Sequence, residues 1–93
     1  MYIYYPYPAN DGKHKYYIIT ASGKKVYFGA IGYEDFTIHK DPSRKARYIA
    51  RHKNKENWTK SGINTAGFWS RWLLWNQLTL QSSYNDIKNR FLI

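Results

Sequence analysis

The chain has 93 residues, fifteen Lys/Arg against six Asp/Glu, a formal net charge of +9 and no cysteine. That length makes one domain with a modest core, and the missing cysteine excludes disulfides and thiolate zinc sites. No apolar run approaches the ~20 residues that a membrane-spanning helix needs.

Taken in chain order, residues 1–12 form a Tyr/Pro-rich arm. Tyr2 and Tyr4 alternate with Ile3 as in a strand, but Pro6 and Pro8 lack backbone donors, so the segment can serve only as an edge strand or an extended arm. It has neither the basic start nor the continuous apolar stretch of a secretory signal. Asn10-Asp11-Gly12 is a turn. Lys13 to Thr20 reads as a strand, rich in Tyr and Ile. Ala21-Ser22-Gly23-Lys24 closes a hairpin, and Lys25 to Ala30 returns with Val26 and Phe28 on one face and Tyr27 on the other. Two strands are marginal alone. A third is expected at Phe36 to His39, after the Gly32-Tyr33-Glu34-Asp35 connection, and the N-terminal arm would make a fourth.

Asp41-Pro42 opens a helix, with Asp41 as cap and Pro42 at the first helical position. It runs to about His52 or Lys53. Its apolar stripe is Ala46, Ile49 and Ala50, the face expected to pack on the core, and Arg44, Arg47 and Arg51 occupy another stripe beside Tyr48. Residues 53–64 are polar and irregular, with Gly62 a breaker and Trp58 an anchor into the core. Three of the four tryptophans then fall within Trp69–Trp75, with Phe68, Leu73 and Leu74 alongside. This helix, capped by Thr65, is apolar almost all round and dominates the expected core. Thr79 caps a last helix, whose Leu80, Tyr84, Ile87 and Phe91 make an amphipathic stripe. The whole reads as a single α+β domain, 1–93: an antiparallel sheet of three or four strands in the N-terminal half, packed against about three helices. Trp69, Trp72, Leu73, Phe28, Ile49 and Ile87 are expected to share its core.

The charge is unevenly spread. Residues 39–60 hold eight Lys/Arg against only Asp41 and Glu56. Lys40, Arg44, Lys45, Arg47, Arg51, His52, Lys53 and Lys55 cluster on and after one helix, which points to contact with a polyanion: nucleic acid without base preference, anionic lipid, or an acidic protein surface, among which charge alone does not choose. Nothing in the sequence reads a DNA groove. Catalysis has little support. A hydrolase needs a base, a positioned partner and usually a metal-binding carboxylate set, whereas Asp41 serves as a cap, Glu34-Asp35 as a turn and His39 as a structural histidine. His14, His39 and His52 lack metal-ligand spacing, and Gly29-Ala30-Ile31-Gly32 lacks the spacing and the lysine of a phosphate loop. No catalytic residue, cofactor or metal is assigned.

Lys24-Lys25-Val26-Tyr27-Phe28-Gly29, Asp35-Phe36-Thr37-Ile38-His39-Lys40-Asp41, Arg44-Lys45-Ala46-Arg47-Tyr48-Ile49-Ala50-Arg51-His52 and Thr65-Ala66-Gly67-Phe68-Trp69-Ser70-Arg71-Trp72-Leu73-Leu74-Trp75-Asn76 carry a resemblance. Over roughly residues 23–91 the chain resembles a family of small basic proteins encoded by large double-stranded DNA viruses, for which no catalytic residues are established. The resemblance implies a viral origin and a place in the virion or the infected cell. The resulting expectation is a non-enzymatic structural protein that contacts nucleic acid or an acidic virion protein through its basic helix. A host-directed protein-interaction module and a small nuclease or hydrolase are the alternatives.

Overall fold

A computed structural model describes residues 2–93. Strand β1 (Tyr7–Pro8) pairs with β2 (His14–Ile19), which pairs with β3 (Lys25–Ala30), giving a three-stranded antiparallel sheet in the order β1-β2-β3. Four helices follow: α1 (Phe36–His39), α2 (Pro42–His52), α3 (Ala66–Trp69), which continues as a wider turn over Ser70–Leu74, and α4 (Leu80–Phe91). A short 3₁₀ turn, Lys60–Gly62, lies between α2 and α3. The α+β class holds.

The sheet follows its turn chemistry. Asp11 Oδ1 accepts from the Lys13 and His14 amides, which fixes the first turn. Gly23, at φ +89°, supplies the left-handed residue that the β2–β3 hairpin requires. The third strand comes from the arm: Tyr7 and Pro8 sit opposite Tyr17 and Tyr16 at the sheet edge, where a missing proline donor costs nothing. The strand expected over Phe36–His39 is instead one turn of helix. Asp35 decides this, because its carboxylate accepts from the Thr37 amide and hydroxyl while its carbonyl accepts from the Ile38 and His39 amides. Lys40 then ends the turn in a left-handed conformation, its amide donating to the Phe36 carbonyl. Phe36 and Ile38 alternate in sequence as in a strand, yet Phe36 is buried and Ile38 is 56% exposed.

The core lies between the inner sheet face and the Trp-rich helix, closed by α4. It contains Ile18, Phe28, Ile63, Phe68, Trp69, Leu73, Leu74, Ile87 and Phe91. Trp69 is fully buried, and its indole N–H donates to the Ile63 carbonyl, so the largest core side chain carries no unpaired polar atom. Thr65 and Thr79 cap α3 and α4, accepting from the Phe68 and Ser82 amides. At the end of the Trp-rich helix the ladder shifts to i→i+5, with the Trp75 amide donating to the Ser70 carbonyl. The wide turn leaves Leu73 and Leu74 both buried and Trp72 and Trp75 half-buried. Gly62 is needed for close approach: a Cβ there would collide with the Asn57 carbonyl.

Three expectations about the core need correction. Trp72 borders the core at half burial; its indole donates to the Trp58 carbonyl, and the guanidinium groups of Arg71 and Arg90 lie 4.4 and 4.6 Å from its ring centre. Ile49 is half-buried and outside the core cluster, and Ala46 and Ala50 are exposed. Trp58 is half-buried outside the core, stacked on Tyr48. The Ile49 and Trp58 errors share a cause. Helix α2 docks through Tyr48, whose ring buries far more apolar surface than two alanine methyls. The helix therefore turns its Lys45-Tyr48-His52 side inward, carrying the alanines out to solvent.

Candidate polyanion-binding surface

Helix α2 stands on a column of rings. Tyr48 stacks face to face on Trp75, with centroids 4.4 Å apart and planes 1° from parallel, and Trp58 and His52 lie against the same tyrosine at 6.3 and 4.5 Å. Burial pushes the Tyr48 hydroxyl above its ordinary pKa, with the nearby Glu56 charge adding to the shift. Arg71 extends the column, lying 4.4 Å from the Trp72 ring and 5.5 Å from Trp58 and donating to the Trp75 carbonyl. Burial, opposed in part by nearby groups such as Tyr48, lowers its pKa, but a guanidinium has so high a starting value that it stays charged.

The eight predicted residues separate into three groups. Lys45, Lys40 and His52 are tethered to the fold. Lys45 passes its stem beside Phe36, with Nζ 4.8 Å from the ring centre, and donates to the Asn76 carbonyl at 2.6 Å. Burial lowers its pKa, and the Arg71 charge adds to the effect. Lys40 Nζ donates to the Thr37 and Leu78 carbonyls, tying α1 to the segment before α4. His52 stacks on Tyr48 with Nδ1 3.8 Å from Glu56. Arg44 forms a second group alone, in an exposed pair with Glu34 at 3.3 Å. Arg47, Arg51, Lys53 and Lys55 are exposed, and among the described residues they make no ion pair or side-chain hydrogen bond.

The carboxylates explain why. Asp11 is held by His14 and two amides. Glu34 pairs with Arg44. Asp35 is buried against Lys15, with Nζ–Oδ2 2.8 Å, and caps α1. Asp41 caps α2 through the Ser43 amide. Glu56 accepts from the Trp58 indole, and Asp86 is bound by Asn76 and Arg90. All six acids of the sequence are thus engaged inside the fold. The outer side of α2 and the loop after it keep their positive charge uncompensated.

Beside this surface runs an open cleft of about 650 Å³ between β3, α2 and the Trp-rich helix. Tyr27 and His14 form its sheet wall, Arg44 and Arg51 its helix wall, and Gly67 and Leu74 lie on the side of the Trp-rich helix. Its acids, Glu34, Asp35 and Glu56, are those already paired, so Arg51 is the cation on its rim without a partner among the described residues. The three histidines each have a local role. His14 binds Asp11, His52 stacks on Tyr48, and His39 Nδ1 accepts from the Asp41 amide while its ring packs 5.2 Å from Trp75. None of the described helices is long and apolar enough to cross a membrane.

Residues 7–52 match a family of unknown function, DUF5754. The match covers just under half of the chain. It takes in the sheet, α1 and α2 with its cations, and stops before the Trp-rich helix on which α2 rests. No curated protein and no solved structure matches the chain.

Sequence reasoning located the basic cluster but missed two features. The inward turn of Lys45 was signalled by Tyr48 three residues on, a larger apolar group than any in the chosen stripe. The cleft had no sequence signal, because it depends on the packing of β3 against segments 40 residues away.

Proposed function

We propose that this protein is a non-enzymatic polyanion-binding module whose partner is nucleic acid, contacted without base preference through the outer side of α2 and the loop after it. The observation that carries this reading is the arrangement of charge. All six carboxylates are engaged within the fold, while Arg47, Arg51, Lys53 and Lys55 stand exposed in a nine-residue span without one. Exposed, unneutralised cations on a helix and the loop after it attract phosphates at long range and release condensed counterions on contact. No helix here reads as a groove-reading element, so binding follows backbone charge. The resemblance to proteins of large DNA viruses adds a setting: a small structural component of the virion, placed against packaged nucleic acid.

The test is fluorescence anisotropy on two unrelated duplexes of equal length, with circular dichroism as the folding control. Wild type is expected to bind both alike at low salt. The variant Arg47→Glu/Arg51→Glu/Lys55→Glu is expected to fold normally and lose most of that binding. A wild type that ignores both duplexes but associates with an acidic protein would assign the surface to a protein partner.

A further inference from the structure

The outward face of the sheet carries a row of aromatic rings that the core does not use. Tyr16, Ile18, Val26 and Phe28 point inward and pack on the core or belong to it. Because side chains alternate along a strand, Tyr17 and Tyr27 point outward. The register sets Tyr7 opposite Tyr17 and Tyr17 opposite Tyr27, one ring from each strand. Their centroids are 5.7 and 5.3 Å apart, and all three are half-exposed. At the two ends of the row, Tyr5 lies 5.0 Å from Tyr7 while packing edge-on against Tyr84 of α4, and His14 lies 5.7 Å from Tyr27.

The unpaired charge beside the row is positive. Lys25 Nζ lies 5.2 Å from the centre of the Tyr17 ring, and Lys24 is exposed on the adjoining hairpin. Asp11, at the His14 end, is already held by that histidine and two amides. The row also continues toward the basic helix, because Tyr27 and His14 line the same cleft as Arg44 and Arg51.

We propose that this face is a stacking platform for single-stranded nucleic acid, with bases laid on Tyr7, Tyr17 and Tyr27 and the backbone held by Lys25 and the cations of α2. The proposal rests on the polyanion reading above and narrows it. Aromatic rings on adjacent strands with cations beside them offer what an unpaired base and its phosphate require. A duplex keeps its base faces stacked on one another and cannot use the rings. The selectivity expected is therefore for unpaired strands, tolerant of sequence, since every base has a π-face.

The experiment compares a 12-nucleotide single strand with a duplex of the same length, using wild type and Tyr7→Leu/Tyr17→Leu/Tyr27→Leu, with circular dichroism on both proteins. Wild type is expected to prefer the single strand. The folded triple variant is expected to bind it more than about tenfold more weakly while keeping its duplex affinity. Unchanged single-strand affinity in that variant would overturn the platform and leave the basic surface standing. A wild type that binds neither nucleic acid would overturn both. Wild type labelled with 3-fluorotyrosine gives a second readout that needs no stable variant. Addition of the oligonucleotide is expected to shift the ¹⁹F signals of Tyr17 and Tyr27, each assigned by its Tyr→Phe variant. Signals that stay still with the oligonucleotide but move with phosphatidylserine vesicles would overturn the proposal in favour of a membrane surface.

Discussion

Tyr48 and Trp75 lie face to face, centroids 4.4 Å apart and planes 1° from parallel, and this stack joins the basic helix to the Trp-rich one. Trp58 also stacks on Tyr48 and Lys45 lies over the Phe36 ring, while the polar ties to α2 are Lys45 to the Asn76 carbonyl, Arg44 to Glu34 and His52 to Glu56. An exposed pair such as Arg44–Glu34 contributes little, so most of the docking strength resides in the rings. Tyr48→Ala is expected to destabilise the fold by about 3–5 kcal/mol, in the range of large aromatic truncations in well-packed sites. Tyr48→Phe keeps both ring faces and is expected to cost under about 1 kcal/mol. Urea denaturation followed by tryptophan fluorescence checks both.

Lys45 and Arg47 are two residues apart, and the structure gives them opposite roles. Lys45 donates a charge-assisted hydrogen bond to the Asn76 carbonyl, whereas Arg47 points to solvent. Lys45→Ala is expected to cost about 1–2 kcal/mol. Arg47→Ala is expected to stay within about 0.5 kcal/mol of wild type in stability and to weaken duplex binding. Thermal melts of the two variants, with anisotropy titrations alongside, separate the roles. Equal stability losses would mean that α2 does not sit in this rotation.

Asp11 gives the fold an acid-sensitive turn. The His14 side chain, followed by the Lys13 and His14 amides, holds its carboxyl well below the usual carboxylate range. A carboxylate whose pKa is lower folded than unfolded stabilises the fold above the unfolded value of about 3.9, and that contribution is lost as pH falls below it. Asp11 is exposed, so the effect is screened and modest. Asp11→Asn is therefore expected to melt below wild type at pH 6, with the gap narrowing as pH drops through 4 toward 2. Melts by circular dichroism across that range check the sign, and a gap that widens toward acid would contradict it.

The fold was legible in the sequence where local chemistry decides it. The turns at Asp11-Gly12 and Gly23, the caps Asp41, Thr65 and Thr79, and the Leu80-Tyr84-Ile87-Phe91 stripe all stand where local pattern put them. It was misleading where one long-range contact outweighs local pattern. Phe36-Thr37-Ile38-His39 alternates as a strand would, but the Asp35 cap and its buried pair with Lys15, twenty residues back, make it a helical turn. In α2 the rotation follows the Tyr48–Trp75 stack, and no spacing within 42–53 announces a ring 27 residues downstream. The exposed cations Arg47, Arg51, Lys53 and Lys55 were legible as a group, whereas the inward use of Lys40, Lys45 and His52 was not. The row of Tyr7, Tyr17 and Tyr27 had a signal in part, since Tyr17 and Tyr27 each lie between apolar or aromatic residues that face inward. It needed the pairing register, which brings the three into line.

The salt dependence of duplex binding tests the central claim most directly. Each phosphate neutralised contributes about −0.9 to the slope of log affinity against log salt. Wild type is expected to lose affinity steeply and linearly on that plot. Arg47→Glu/Arg51→Glu/Lys55→Glu is expected to give a slope shallower by about two to three units, with an unchanged circular dichroism spectrum. A folded variant with the wild-type slope and affinity would show that the outer side of α2 does not contact the nucleic acid, and would contradict the assignment of its uncompensated charge to polyanion binding.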